Sequence, residues 1–436
     1  MQELEHELTS LPLSSAAKTF QERVTLVEKK NFRLGVWSGV LYNLGCSFIS
    51  RTTVLPSFFS HLTNSSALIG IVGTFQDVGW YLPQFPASAW VVHKRQKMPM
   101  YKLSMTLRII LFFGLAFATI FSTEPTSLLI ISVLALGFFY LCSGLGGVVF
   151  MELFAKAIPP KRRGIFLGIR MALAGILSAT IGALAISFLL TSSNFPKNFG
   201  FVFLAGAIIS SIGLICMAVM REPRDIHKLP KRSLREQMNI AITFLRNDHR
   251  FRYYVKTRLL LSIFPLGLPF LFLFAKKGLG FQSNEIAIFI TTECIGLVIS
   301  NYFWSRIARS QSNKHVLLIS SVLALAIPLM VIAFSLFELP HLSFALIFAI
   351  AAAVDSGYTI GGMSYLIEII PANERTTYSG LYNSLLAVPI LLSFLAGSIL
   401  DEYGFIALYS ILLGFGIISV LYVSRLEAHP LSVSTP

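Results

Sequence analysis

Long apolar stretches alternate with short polar segments along almost the whole chain. Twelve stretches reach the roughly 20 residues that an α-helix needs to cross a bilayer. The alternation with a period of two residues that marks a membrane β-barrel is absent, so the pattern predicts an all-α polytopic membrane protein. The predicted spans, numbered one to twelve, are 33–58, 67–92, 103–122, 127–153, 164–191, 199–220, 253–275, 284–307, 315–337, 341–369, 376–400 and 404–424.

Composition supports this prediction. Apolar residues make up 55% of the 436 residues, and charged residues make up 13%. That charged share is about half of the roughly 25% that is usual in soluble domains, and the mean hydropathy is +0.71. Such a chain has too few polar side chains to cover a water-facing surface, which excludes a soluble multidomain protein and an intrinsically disordered one.

The formal net charge of +14 is distributed unevenly across the predicted membrane. Of the 35 basic residues, 30 fall on the side of the N-terminus, and Lys197, Lys276 and Lys277 fall on the other side. Arg51 and Arg170 lie inside spans. The bias predicts that both termini are cytoplasmic. Because the basic residues are dispersed over many loops, they do not indicate a nucleic-acid partner.

The positions of the polar segments predict the domain organisation. A cytoplasmic tail (1–31) precedes an N-terminal bundle of six helices (32–220), and a central cytoplasmic loop (221–252) leads to a second bundle (253–425) and a short tail (426–436). Within the central loop, Ser233 and Glu236 match a capping box. The apolar positions that follow predict an amphipathic helix, which lies either on the membrane surface or against the bundle.

The two halves carry an internal repeat at an offset of 212 residues. Ile158, Pro159, Arg163 and Gly168, which follow span four, return after span ten as Ile370, Pro371, Arg375 and Gly380. The repeated positions lie in the same loop of each half, which indicates two pseudo-symmetric six-helix bundles.

Twelve spans, the six-plus-six division and the Pro-x-x-x-Arg turn before spans five and eleven resemble the major facilitator superfamily (MFS). The end of span eleven, 397–404, is also similar, and the resemblance covers roughly 32–425. The loop after span two keeps basic residues but lacks the family's Asp and glycines, and span four lacks the Arg of many proton-coupled members. These departures argue against a multidrug antiporter.

The resemblance implies a secondary active transporter that moves a small solute by alternating access, not an enzyme. Two bundles would rock about a central site near the bilayer midplane, with spans one, four, seven and ten lining the cavity. A lipid flippase and a substrate sensor or receptor with the same fold are the alternatives.

Ionisable residues inside spans are costly and therefore mark candidate functional positions. Arg51 on span one lies about 11 Å, and Asp77 on span two about 15 Å, from the predicted external surface. Neighbouring antiparallel helices bring such positions together, so we expect an Arg51–Asp77 ion pair. The pair either neutralises two buried charges or takes part directly in substrate or proton binding.

Two further carboxylates lie in the second half. No basic residue lies near Glu293 on its own span, and a buried, unpaired carboxylate tends to take up a proton, so Glu293 is a candidate for proton coupling. Asp355 occurs with Tyr358 and several glycines in span ten, which predicts a polar cavity wall and a role in substrate or proton binding.

The remaining charged residues predict supporting roles. Arg170 lies two turns into span five, where it could neutralise Glu152 or an anionic substrate. Arg108 and Glu152 lie near the predicted cytoplasmic ends of their spans, so we expect a cytoplasmic gate or anchor there. Arg163 and Arg375, in the repeated turns, are further candidates for that role.

Metal and cofactor chemistry has no support in the sequence. The eight histidines fall in tails, loops or span edges, no His-x-x-x-His pattern occurs, and the four cysteines form no Cys-x-x-Cys pair. We therefore predict no cofactor, no metal and no enzymatic activity. The prediction is a monomeric, proton-coupled transporter of an anionic or zwitterionic solute in a bacterial inner membrane.

Overall fold

A computed structural model describes residues 13–92, 94, 96–158, 160–222, 234–282, 285–370 and 375–427. Throughout these ranges the regular structure is helical. The first half contains α1 (Leu13–Ser47), α2 (Val54–Phe59), α3 (Ser66–Tyr81), α4 (Gln84–Val92), α5 (Met98–Phe121), α6 (Pro125–Ala157), α7 (Pro160–Leu177), a π-helical turn (Ser178–Gly182), α8 (Ala183–Ser192) and α9 (Lys197–Ala218).

The second half follows the same plan. It contains α10 (Leu234–Asn247), α11 (His249–Leu261), a 3₁₀ turn (Phe264–Gly267), α12 (Leu268–Leu279), α13 (Ile286–Ser310), α14 (Asn313–Ala324), α15 (Ala326–Leu336), a second 3₁₀ turn (His341–Ala345), α16 (Leu346–Ile369), α17 (Arg375–Leu391) and α18 (Ser393–Ser424).

The twelve predicted spans fit these helices once their breaks are counted. In the described part of the chain, nine helical segments are long and apolar enough to cross a membrane. Spans one and two are each divided into two helices and fall outside that count. Spans eleven and twelve merge into one segment, Gly380–Ser424, across a kink at Gly404. The φ of +81° at this position is one that glycine adopts without steric cost.

Spans one and seven are both interrupted near their middle. In span one, residues 48–53 separate α1 from α2. In span seven, a 3₁₀ turn containing Pro265 separates α11 from α12, and proline cannot donate the backbone hydrogen bond that a continuous helix requires. The short helices beyond the breaks are almost completely enclosed: every residue of α2 is buried, as is every residue of α12 from Leu268 to Ala275.

The hydrophobic core joins the two halves mainly on one side. On the predicted external side, Phe58 and Phe203 of the first half share one cluster with Phe270 and Phe348 of the second. On the predicted cytoplasmic side the clusters are separate, and Phe85 is the one buried first-half residue in the second-half cluster, among the residues that the structure describes. The two bundles are therefore sealed together by apolar packing on the predicted external side.

Spans two and eleven, and spans five and eight, form direct contacts between the halves. The Thr74 and Ser393 hydroxyls are 2.8 Å apart, and the backbone N–H of Ser66 donates to Asp401 at 2.9 Å. The Thr291 hydroxyl donates to the Ala179 carbonyl at 3.0 Å. Small or hydroxylated residues at these positions let the helix backbones approach closely.

The amphipathic helix of the central loop is present as α10. Ser233, its expected capping residue, lies outside the described residues. Near its end, Phe244 stacks on Tyr378 of α17 with ring centroids 4.0 Å apart, whereas Met238 and Ile242 are exposed. One part of the helix therefore packs against the bundle and another part presents apolar side chains outward.

Candidate functional site

The break in span one places a charged and hydroxylated tripeptide inside the protein. Ser50, Arg51 and Thr52 lie between α1 and α2, where the backbone is not helical. The Arg51 side chain is buried and forms an ion pair with Asp77 of α3, as expected from the sequence. Both groups belong to the first half, so this contact does not depend on how the halves are arranged.

Arg51 also contacts the second half. One of its terminal nitrogens, Nη2, lies 3.2 Å from Oδ1 of Asp355 on α16. The Asp355 side chain is 51% exposed, against 16% for Asp77. The same guanidinium therefore holds one enclosed carboxylate within its own bundle and one open carboxylate across the interface.

Glu293 of α13 meets a hydroxyl group of the first half. Thr52 Oγ1 donates a hydrogen bond to Glu293 Oε2 at 2.8 Å, and the Ser50 hydroxyl lies 2.8 Å from the same Thr52 oxygen. Among the described residues no cation lies within ion-pair distance of Glu293. Its one described partner is therefore a hydroxyl that reaches it from the opposite bundle.

These groups line a cavity of about 260 Å³ between the bundles. Arg51, Glu293 and Asp355 all face it, together with residues of spans one, two, five, seven, eight and ten. Contrary to expectation, no residue of span four lines it in the part of the chain that the structure describes. Its glycines pack instead against span two, where Gly144 lies against the Gly79 carbonyl and Gly147 against the Trp80 ring.

Charge at this site is biased toward acid. One guanidinium is surrounded by three carboxylates, on Asp77, Glu293 and Asp355, and two of the three sit on the opposite bundle. Such an arrangement can hold protons or a cationic group, and a solute anion would have to compete with Asp77 and Asp355 for Arg51. Within the described ranges, no group of His, Cys, Asp and Glu is arranged to hold a metal ion.

Tyr358 does not face the cavity, contrary to expectation. Its position, one turn beyond Asp355, brings it against α11 instead. Its carbonyl accepts a hydrogen bond from Arg258 Nη1 at 3.1 Å, and its ring packs edge-on to Phe264. Two positions three residues apart on an α-helix differ by about 60° in direction around the axis and by about 4.5 Å along it. Asp355 and Tyr358 can therefore have different neighbours.

Arg258 is a buried charge that the sequence prediction missed. It is one of the 30 basic residues assigned to the side of the N-terminus, although the predicted start of span seven at 253 already places it inside the membrane. Its Nε donates to the Tyr382 hydroxyl at 2.7 Å, and the Tyr254 hydroxyl beside it donates to the Gly362 carbonyl at 2.6 Å. The apolar run that follows Arg258 directly could have identified it.

Arg108 lies deeper than predicted. Helix α5 begins at Met98, with Pro99 in its first turn, which is five residues before the predicted span. Arg108 is therefore about 15 Å from the first residue of the helix. It is 4% exposed, and its guanidinium lies over the rings of Tyr42 and Tyr101, at 5.5 and 5.8 Å. Arg108 therefore lies near the middle of α5, and its predicted role in a cytoplasmic gate or anchor remains a prediction.

Arg170 of α7 is directed into the first bundle. Its guanidinium lies 4.6 Å from the Phe150 ring centroid, and its side chain occupies the space beside Gly39. The side chains of Glu152, Arg163 and Arg375 lie outside the described part of the structure. Their predicted pairing and gating roles remain predictions.

The fold is similar to that of several solved transporters. A D-xylose–proton symporter aligns with a TM-score of 0.70 at 13% identity, covering 91% of this chain and 97% of the other. A POT family transporter in complex with 5-aminolevulinic acid gives 0.69 at 14% identity, covering 90% and 96%. The nucleoside transporter NupG gives 0.64 at 14% identity, covering 93% and 100%.

Similarity to curated sequences is more limited. Uncharacterized proteins of Mycobacterium tuberculosis (strain H37Rv) and Mycobacterium bovis are 24% identical over 250 residues, or 56% of this chain. The chain spans about half the length of these relatives, since the match covers 48% of each.

A family-level match covers nearly the whole membrane region. The sequence profile of the Major Facilitator Superfamily matches residues 36–394, and a second match covers 266–436. Together with the transporter fold and the apolar helices, this makes the protein an integral membrane protein of a transporter class rather than an enzyme: the chain belongs to the Major Facilitator Superfamily.

Proposed function

We propose that this protein is a secondary active transporter that moves a small solute through the central cavity by alternating access, driven by protons. One observation carries the proposal. Glu293 and Asp355 line the cavity between the bundles, and each is held by a first-half residue of the broken span, Thr52 or Arg51. Protonation of these carboxylates would therefore act on the contacts that separate when the bundles rock.

The contacts differ in how they would respond to such a movement. The Arg51–Asp77 pair lies within one bundle, so a movement of one bundle against the other need not break it. The Thr52–Glu293 hydrogen bond and the Arg51–Asp355 contact cross the interface. Neutralising a carboxylate by a proton weakens its attraction to a guanidinium or hydroxyl donor, which lowers the cost of separating the bundles.

The cavity favours a zwitterionic solute. A solute carboxylate would share Arg51 and displace Asp355, and a solute ammonium would then find Asp355 and Glu293 on the opposite wall. A purely anionic solute would meet an excess of carboxylates, which costs binding energy through like-charge repulsion. The POT family structure that aligns with this chain holds 5-aminolevulinic acid, which gives a first compound to test.

The test begins with a ligand-dependent thermal-shift screen of the purified protein, because a bound solute raises the unfolding temperature by mass action. Compounds that raise it are then assayed for uptake into liposomes under an imposed pH gradient. The proposal predicts that the gradient drives uptake in the wild type, and that Glu293→Gln and Asp355→Asn lose that drive.

Each variant has a matched control on its own helix. Glu285 directly precedes α13 and accepts a hydrogen bond from the Gln282 N–H, and Glu368 near the end of α16 accepts one from Asn313. Neither lines the cavity. Glu285→Gln and Glu368→Gln should keep gradient-driven uptake. If Glu293→Gln and Asp355→Asn both retain full gradient-driven uptake, the coupling proposal is wrong.

A further inference from the structure

The first bundle contains a second charged site, separate from the central cavity, which we call the arginine cluster. It consists of Arg108 on α5 and Arg170 on α7, with Tyr42 and Tyr101 beside them. We propose that the arginine cluster binds an oxyanion group, a carboxylate or a phosphate. This inference does not depend on proton coupling at Glu293 or Asp355.

The two arginines reach the same groove from different helices. Along α6, Gly146 lies against the Arg108 guanidinium and Phe150 against that of Arg170. Along α1, Tyr42 contacts Arg108 and Gly39 contacts Arg170. Both pairs of contact positions are three or four residues apart, so the guanidinium groups lie about one helical turn, roughly 5–6 Å, apart along the groove.

Hydrogen-bond donors in this groove lack acceptors. Arg108 Nη2 and Arg170 Nε and Nη1 are buried and have no hydrogen-bond partner among the described residues. Arg108 Nε does reach an acceptor, the Ser104 carbonyl at 3.3 Å. Buried polar groups in native proteins are almost always satisfied, so three open donors on two arginines of one groove indicate a missing acceptor.

The missing partner carries negative charge. In the described part of the chain, no ion pair is formed by Arg108 or Arg170. Water can accept hydrogen bonds from both, but it leaves two like charges unneutralised inside the membrane. Planar guanidinium groups with open N–H donors fit the oxygens of a carboxylate or phosphate, often in a bidentate arrangement.

Arg258 in the second bundle is a buried arginine whose hydrogen-bond donors have acceptors. It is buried next to tyrosines, as Arg108 is, but Nε donates to the Tyr382 hydroxyl and Nη1 to the Tyr358 carbonyl. Within the described ranges, no buried nitrogen of Arg258 is left without a partner. The open donors of the arginine cluster are therefore not a general property of buried arginines in this protein, and Arg258 provides a matched control.

The experiment measures thermal unfolding of the purified protein in uncharged detergent while phosphate or acetate replaces chloride at constant ionic strength. The expected result is an unfolding temperature that rises with anion concentration. Arg108→Gln and Arg170→Gln should each weaken the anion's apparent affinity by roughly ten- to a hundredfold. Arg258→Gln should leave it unchanged, and Arg250→Ala, at an exposed ion pair, serves as control if Arg258→Gln does not fold.

A second arm identifies the source of the anion. Nanodiscs of phosphatidylglycerol are compared with nanodiscs of phosphatidylcholine. Stabilisation by phosphate in detergent assigns the site to a free anion, and stabilisation by phosphatidylglycerol alone, lost in Arg170→Gln, assigns it to a lipid headgroup. Direct titration calorimetry of the wild type with phosphate needs no variant and keeps the proposal testable if both arginine variants fail to fold.

Two results would overturn the proposal. One is a wild type that responds to none of these anions, and another is a response that persists undiminished in Arg108→Gln and Arg170→Gln. A silent wild type would leave Glu152 on α6, the acid that the sequence suggested as a partner of Arg170, as the group to test. If the wild type is silent and Glu152→Gln gains a phosphate response, Glu152 fills the site and no external anion is bound there.

Discussion

The central cavity and the arginine cluster lie in the same protein but have opposite charge balance. At the cavity one arginine, Arg51, faces three carboxylates, two of them across the interface. In the arginine cluster, Arg108 and Arg170 lie against aromatic rings and form no described ion pair. The cavity is therefore suited to protons and cationic groups, and the cluster to an anion.

The difference also concerns which parts of the molecule each site connects. The carboxylates of the cavity join two bundles, so their state bears on how the bundles are arranged. The arginine cluster lies within the first bundle alone, between α1, α5, α6 and α7. Occupancy of the cluster would change the stability of that bundle without directly linking it to the other.

The largest expected effect is at Arg51. Arg51→Ala leaves Asp77 as a buried carboxylate without its cation, and removing one partner of a buried pair typically costs about 3–5 kcal/mol. The double variant with Asp77→Ala should recover much of that loss in the free energy of unfolding, measured in mixed micelles. Losses that simply add would show that the two groups do not act as a pair.

A smaller loss is expected at the inter-bundle hydrogen bond. Thr52→Val keeps the side-chain shape but removes the hydroxyl that donates to Glu293. A hydrogen bond to a charged group contributes about 1.5–3 kcal/mol, so stability should fall by an amount in that range. The double variant with Glu293→Met, whose side chain offers no oxygen acceptor, tests this directly, because Thr52→Val should cost much less there. An equal cost in both backgrounds would refute the contact.

In the arginine cluster we expect a substitution to raise the free energy of unfolding instead of lowering it. Arg170→Met, measured without added anion, removes one of two unneutralised buried charges and keeps an apolar chain beside Phe150. Replacing buried charges by well-packed apolar groups is often stabilising by about 1–4 kcal/mol. We expect a gain near the lower end. A decrease of several kcal/mol in the free energy of unfolding, as at Arg51, would mean that Arg170 is already neutralised. The central cavity and the arginine cluster would then not differ in charge balance.

The smallest effect is expected at the surface. Arg250 and Glu427 form an ion pair at 2.8 Å, with side chains 58% and 60% exposed. Exposed pairs contribute about 0–1 kcal/mol, so Arg250→Ala should change the free energy of unfolding by no more than that. A larger change would show that the measured stability responds to the loss of any charge. The different effects expected at Arg51 and Arg170 could then not be assigned to their local contacts.

The sequence predicted the fold well because membrane spans depend on long apolar runs, which are visible in a single chain. It also predicted the Arg51–Asp77 pair, because depth along two adjacent helices is simple arithmetic. The helix breaks at 48–53 and in span seven were not predicted. These breaks depend on tertiary packing around the chain. Thr52 lies in the first of them, and the break places its hydroxyl against Glu293.

The parts of the site that depend on helix rotation could not be predicted. Span four was expected to line the cavity, but its glycines pack against span two. Tyr358 was expected beside Asp355 in the cavity wall, but its ring packs against Arg258 and Phe264 instead. Which face of an apolar helix meets the cavity is decided by contacts with several neighbours, and the nearly uniform hydrophobicity of spans four and ten contains little information about it.

Proton coupling through Glu293 is measured most directly by comparing two modes of transport in Glu293→Gln. Exchange of labelled for unlabelled solute across liposomes requires the bundles to alternate but no net proton movement, whereas accumulation under a pH gradient requires the proton to be released. We expect Glu293→Gln to exchange solute at a rate near that of the wild type and to fail to accumulate it, while Glu285→Gln does both. Gradient-driven accumulation by Glu293→Gln at the wild-type level would show that Glu293 does not couple transport to protons.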